Sequence, residues 1–180
     1  MCMCMRKDKK SFNLPTLSLG NTNLNFVDHC KYLGTIIHID KTDLDVRRQT
    51  RKFYGNANML LRKFSKCSNN VKSHLFSTYC SNLYCAPFWY ATCVTKLNKL
   101  KVSYNNSFRR LMKIPYRNSA SAMFVNNGVI SFKEMLRKNI YNFMCRIQAS
   151  KNTIISSIVS SCHLLSTIWT WWRKILYTSW

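Results

Sequence analysis

Up to about residue 39 the apolar positions alternate with polar ones; beyond it they return every three or four residues. The first pattern has the period of half-buried strands and the second that of amphipathic helices. Leu17-Ser-Leu and Leu24-Asn-Phe flank Gly20-Asn-Thr-Asn, which predicts a hairpin. A further strand is expected over 31–37, with Tyr32, Leu33, Ile36 and Ile37 as its apolar content. A helix is then expected from Thr42 or Asp43, either of which can cap it, to about Phe64. Acids at 43 and 45 suit the positive end of its dipole. Val46, Phe53, Ala57, Leu60, Leu61 and Phe64 share one face of that helix, and Arg47, Arg48, Arg51, Lys52, Arg62 and Lys63 the other.

Further helices are expected over 70–84, with Pro87 setting a break near its end, and over 96–114, stopped by Pro115. In the latter, Leu97, Leu100, Tyr104, Phe108, Leu111 and Met112 oppose Lys99, Arg109, Arg110 and Lys113. Shorter helices fit 119–125 and 132–147. The fold class is therefore α+β, mainly α: a short N-terminal antiparallel sheet followed by a helical bundle. The organisation is a β region over 1–39, a helical region over 40–148 and an amphipathic helical tail over 149–180.

Composition agrees with a folded, helix-rich chain. The 180 residues leave room for one domain or part of a larger one. A hydrophobic fraction of 47% argues against disorder, and four Gly and three Pro are too few for a turn-rich sandwich. Nine cysteines at scattered spacing give no disulfide framework. With no secretory signal visible, they read as reduced thiols of an intracellular protein, nuclear or cytoplasmic. The uncharged run 152–172 approaches a membrane span in length, yet ten of its residues are Ser, Thr, Asn or His. Its period places Ile154, Ile158, Leu165, Trp169 and Trp172 on one face, which predicts one amphipathic helix packed on protein; a membrane-associated helix is the alternative.

Charge changes the picture most. Residues 1–45 carry six basic and five acidic side chains; residues 46–180 carry twenty-two and one, Glu134. The formal net charge is +22, and self-repulsion of that size opposes compaction unless a polyanion offsets it. A phosphate backbone is the first candidate and an anionic membrane surface the second. Rows of Lys and Arg opposite a hydrophobic seam let a helix pack on itself and track phosphates. A solvated helix face would ordinarily mix signs. Trp89, Tyr90 and Tyr104 are candidates for base stacking, although core packing is the commoner role for each.

Catalytic signals are weak. Asp40, Asp43 and Asp45 form the only acidic cluster, and at a helix start they read as capping and dipole-complementing residues rather than metal ligands. His74, Cys80, Cys85 and Cys93 lack the Cys-x-x-Cys pairing of a zinc site. They read better as small buried residues on packed helices. There is no glycine-rich phosphate loop or nucleophile elbow. Adjacent His29 and Cys30 point to opposite faces of a strand and form no dyad.

Several motifs in order carry a resemblance. They are Pro-x-Leu-x-Leu-Gly at 15–20, Lys-Tyr-Leu-Gly at 31–34, Leu-Tyr-x-x-x-x-Trp-Tyr at 83–90, Tyr-Asn-x-x-Phe-Arg-Arg-Leu at 104–111, Ile-Pro-Tyr-Arg-Asn-Ser-Ala at 114–120 and Trp-Arg-Lys-Ile-Leu-Tyr at 172–177. Together they resemble the C-terminal part of jockey-like non-LTR retrotransposon (LINE) reverse transcriptases over nearly the whole chain. The resemblance implies that 1–39 is the end of a palm and that the helices from about 42 to 113 belong to a thumb and the helical region after it. It makes Lys31, Tyr32, Leu33 and Gly34 similar to a primer grip. The implied partners are an RNA/DNA template–primer and the palm and fingers that this chain lacks. The family's aromatic-Ala-Asp-Asp turn is not in the sequence and would lie before Met1, as in a truncated element or partial reading frame. No catalytic residue carries over. No cofactor is expected in this chain, Mg belonging to the intact polymerase, and the chain alone is expected to be inactive. On this reading Arg47, Arg48, Arg51 and Lys52 are the principal phosphate contacts, and Arg62, Lys63, Arg109 and Arg110 the secondary ones. The alternatives are a basic amphipathic membrane-surface protein and a translated relic without function.

Overall fold

A computed structural model describes residue 3 and residues 15–38, 43–83, 85–89, 94–160 and 166–177. Among these, two separate two-stranded antiparallel sheets precede seven α-helices and one 3-10 turn. The expected α+β, mainly helical class is what the chain forms.

The first hairpin joins β1 (Leu17–Leu19) to β2 (Thr22–Leu24), with Leu17 opposite Leu24 and Leu19 opposite Thr22. Its turn is only Gly20-Asn21, tighter than the four-residue link that the apolar pattern suggests. Gly20 sits at φ 60, a conformation open to a residue without Cβ. The single strand expected over 31–37 is instead a second hairpin, β3 (His29–Tyr32) with β4 (Thr35–His38). Leu33 (φ 45) and Gly34 (φ 82) form its turn. A two-residue turn of type I′ needs positive φ at both central residues, which Gly34 supplies readily and Leu33 only under strain.

The helical period then sets the body. Helix α1 (Asp43–Lys63) buries Val46, Phe53, Ala57 and Leu60, with Leu61 and Phe64 half-buried against the same core. The capping role expected of Thr42 or Asp43 falls outside the described side chains. Helix α2 (Asn69–Cys80) ends several residues before the expected position. The chain leaves it at Ser81 to bury Leu83, Cys85 and Ala86, and then forms a 3-10 turn, Ala86–Phe88, around Pro87. Helix α3 (Val94–Met112) buries all six apolar residues assigned to its inner face. It closes with Lys113 at φ 56, where the Ile114 N–H donates to the Arg109 carbonyl (3.0 Å). That is the Schellman arrangement, with lysine where glycine is usual.

Helix α4 (Ala120–Asn126) and helix α5 (Phe132–Gln148) lie where the periodicity predicts them. A capping box starts α5: Glu134 N–H donates to Ser131 Oγ (3.3 Å), and Ser131 N–H donates to Glu134 Oε2 (2.9 Å). Over the run 152–172 the described residues lie in α6 (Thr153–Ser160), none of whose residues is buried, and in α7 (Ser166–Tyr177), which buries Trp172 and Ile175. Whether one helix spans the run turns on 161–165, which lie outside the described residues. Ile154, expected on the packed face, is 68% exposed. Leu165 lies outside the described residues. Among the described residues no helix is long and apolar enough to cross a membrane.

One core runs from Val46 to Ile175. At its centre the Tyr104 ring meets Phe53, Phe76, Phe124 and Phe132, while Phe108 packs on Phe76 and Phe124. Edge-to-face and offset contacts of this kind add to the stabilisation from burial. Helix α7 closes the far side, where Trp172 packs on Phe143 and its Nε1–H donates to the Pro87 carbonyl (3.0 Å).

Candidate nucleic-acid interface

Helix α1 turns its apolar side to α2 and α3, which leaves its polar side outward. Arg47, Arg51, Lys52, Arg62 and Lys63 are all exposed. Arg47 and Arg51 are one turn apart, and Arg62 follows Arg51 after three turns, so these three lie in a row down the middle of that side. At a rise of 1.5 Å per residue the row spans about 22 Å. The sequence has no acidic residue from Val46 to Lys133, so no carboxylate from those elements dilutes its field. Lys52 and Lys63 flank the row toward α2, on the side where Asn56 Nδ2 donates to the Tyr79 carbonyl (2.6 Å). Tyr54 flanks it toward α3, where its hydroxyl bonds Ser103 Oγ.

Arg48 does not belong to this row. Its guanidinium donates through Nη2 (2.9 Å) and Nε (3.3 Å) to Asp45 Oδ1 and through Nη2 to the Gly34 carbonyl. Asp45 is 3% exposed, and it accepts further from the Ile36 N–H (3.3 Å) and from Trp89 Nε1–H (3.1 Å). Asp45 does stand in the first turn of α1, as expected, but complementing the helix dipole is not its whole role. Its carboxylate is a buried hub that fastens the second hairpin and the 85–89 segment to the start of α1. A buried charge is tolerated when its oxygens are met by donors in this way. Trp89, a stacking candidate by sequence, is the hub's indole donor, and Tyr104 is core; both are about 1% exposed. Tyr90 lies outside the described residues.

The hub sets where Lys31, Tyr32, Leu33 and Gly34 stand. Lys31 and Tyr32 end β3, and Leu33-Gly34 is the turn; all four are exposed, Tyr32 at 63% and Leu33 at 78%. Arg48 holds the Gly34 carbonyl, so this apolar tip is fixed beside the first turns of α1, at the head of the basic row.

Arg109 and Arg110 lie at the other end of the surface, in the last turn of α3. Arg109 Nη2 donates to the Asn118 carbonyl (2.9 Å), its guanidinium lies 5.2 Å from the Tyr116 ring centroid, and its Nε–H is buried without an acceptor. It is thus turned inward, whereas Arg110 is exposed. Both line a surface groove of about 430 Å³ together with Tyr54, Asn106, Lys113 and Tyr116. Tyr54, Lys113 and Tyr116 were not singled out as site residues by sequence. The available signal was Tyr54 lying seven positions after Arg47, on the same side of α1, and the Arg109, Arg110, Lys113 spacing at a helix end.

Among the described residues no group of three or more His, Cys, Asp or Glu is placed to hold an ion. The Asp45 oxygens face Arg48, Ile36 and Trp89, and the side chains of Asp40 and Asp43 lie outside the described residues. His74, which is exposed, and Cys80 and Cys85, which are buried, form no such group, and Cys93 is outside the described residues. Burial pushes the Cys80 thiol up to about 12. It raises Cys85 as well, opposed by a hydrogen bond with Thr35 (2.9 Å).

Comparison with protein-family models, with curated proteins and with solved structures finds no match to this chain.

Proposed function

We propose that the chain grips a template–primer duplex as part of an RNA-directed DNA polymerase, in the manner of the palm end and thumb that it resembles in jockey-like retrotransposon reverse transcriptases. The observation that supports this most is the basic row of α1, unbroken by acid and about 22 Å long, running from the second hairpin toward the groove at the end of α3. Arg47, Arg51 and Arg62 are its central phosphate contacts, with Lys52, Lys63 and Arg110 beside them. Arg48 and Arg109 act indirectly, by fixing the hairpin tip and Tyr116. Lys31, Tyr32, Leu33 and Gly34 present an apolar, positively charged tip where a primer-facing element would be needed. Chemistry is left to a catalytic segment with metal-binding aspartates that this sequence does not contain.

The test is binding of a fluorescein-labelled RNA/DNA hybrid duplex by anisotropy, with primer extension run in parallel. Affinity is expected to fall linearly on a log–log scale with salt, and no nucleotide should be added. Reversal of Arg47, Arg51 and Arg62 to Glu, with the melting transition retained, is expected to abolish binding. Undiminished binding by that variant, or capture of the chain by anionic vesicles but not by the hybrid, contradicts the reading.

A further inference from the structure

We infer that the groove between α1 and the end of α3 holds one unpaired nucleotide, its base stacked on Tyr116 and its phosphates against Arg110 and Lys113. The inference rests on the nucleic-acid reading above and goes beyond it in naming a single-stranded site apart from the duplex-tracking row.

Tyr116 is 72% exposed, although it follows Pro115 in a tight turn and is not a loose side chain. One face of its ring carries the Arg109 guanidinium at 5.2 Å. Arg109 is in turn held by the Asn118 carbonyl (2.9 Å). The ring is thus braced from beneath with its exposed face available to a second planar group. An arginine–aromatic pair of this kind is the platform on which single-stranded nucleic acids stack, tolerant of base identity because every base has a π-face. Beside it stand Arg110 and Lys113, both exposed, with no acidic residue in the lining. The groove volume of about 430 Å³ falls within the range of small-ligand sites. Asn106 supplies an amide in the wall, which can pair with a base edge.

Cations at a helix C-terminus also complement the helix dipole. That accounts for positive charge here, but not for an aromatic ring held open above Arg109. Nor does it account for Lys113, which adopts φ 56, a conformation that favours glycine. A flexible cation is kept at a position where glycine would be easier to fold.

The experiment uses the full chain and two fluorescein-labelled probes of equal length, an oligothymidylate and an abasic phosphodiester. The native chain should bind the thymidine probe more tightly. Tyr116→Ala should lose roughly tenfold on thymidine, as expected for one stacked base, and nothing on the abasic probe, while Tyr116→Trp retains the preference. Lys113→Gly should weaken both probes alike while raising the melting temperature. Equal affinity of the native chain and Tyr116→Ala for thymidine overturns the site. So does a loss by Tyr116→Ala that is the same on both probes. The row on α1 is tested apart: if Arg47, Arg51 and Arg62 reversed to Glu weaken the hybrid duplex while Tyr116→Ala changes nothing, the groove fails alone. If the native chain binds neither probe nor the hybrid, both readings fall together.

Discussion

Asp45 joins three parts of the chain, one of them 44 residues away in sequence. Its two oxygens take Arg48, the Ile36 amide and the Trp89 indole, so one side chain fixes a hairpin, a helix start and a loop. Asp45 is the buried member of its ion pair, the Arg48 side chain being 30% exposed. Removing it leaves the Ile36 amide and the Trp89 indole without their acceptor and Arg48 without its counter-charge. Asp45→Ala is therefore expected to cost about 3–5 kcal/mol of stability in urea unfolding. Asp45→Asn, which keeps a carbonyl acceptor, should cost less. A loss under 1 kcal/mol for the alanine variant, within the range typical of exposed pairs, would mean that the hub is not a buried one. At this scale the sequence was least legible. An acid in the first turn of a basic helix looks like a dipole partner, and the Trp89 contact lies 44 residues away. The same holds for Arg48 and Arg109, whose spacing marks them as surface cations but which hold the Gly34 and Asn118 carbonyls that folding brings near.

Elements follow local rules more closely. The bounds of α1, α3, α4 and α5 fall close to those that the 3.6-residue period and Pro115 predict, because each has an unbroken apolar seam. The hairpin over 29–38 was hidden because Leu33 is a poor turn former. Within α1, Gly55 sits in the polar side with no atom within 4 Å of where a Cβ would stand. Packing gives no reason for a glycine there. Gly55→Ala should raise stability by about 0.5–1 kcal/mol, read from the urea midpoint. No gain would show that the helix is not continuous through this position. In α5, hydrogen bonds from Ser131 hold the Glu134 carboxyl below its ordinary value of 4.5. A depressed folded value means that the ionised form is the stabilising one. Its contribution is complete above 4.5 and is lost as pH falls through the lower, folded value. The melting difference between the native chain and Glu134→Gln should thus be constant at neutral pH and close on acidification. A gap that widens below pH 4.5 would contradict the capping box.

The buried residues among those described form one core, closed by the last described helix. Trp172 is buried among Phe143 and Trp169 and donates to Pro87, so α7 is a wall of the bundle and not an appended tail in packing terms. Trp172→Ala removes that wall's largest side chain and leaves the Pro87 carbonyl without its donor. A loss of about 3–5 kcal/mol is expected in thermal or urea melts; a loss near zero would mean that α7 packs elsewhere. The mainly helical class and the two-sided helices were legible from periodicity and charge, whereas the docking of α7 was not, since a tryptophan on an apolar face does not say which surface receives it. The account stands or falls on whether the outward row of α1 neutralises phosphates. The most direct measurement is the salt dependence of hybrid-duplex affinity for the native chain and for the chain with Arg47, Arg51 and Arg62 changed together to Ala. Each lost phosphate contact should flatten the log–log slope by about 0.9, so the triple variant should be shallower by roughly 2.7. An unchanged slope in a variant that melts like the native chain would contradict it.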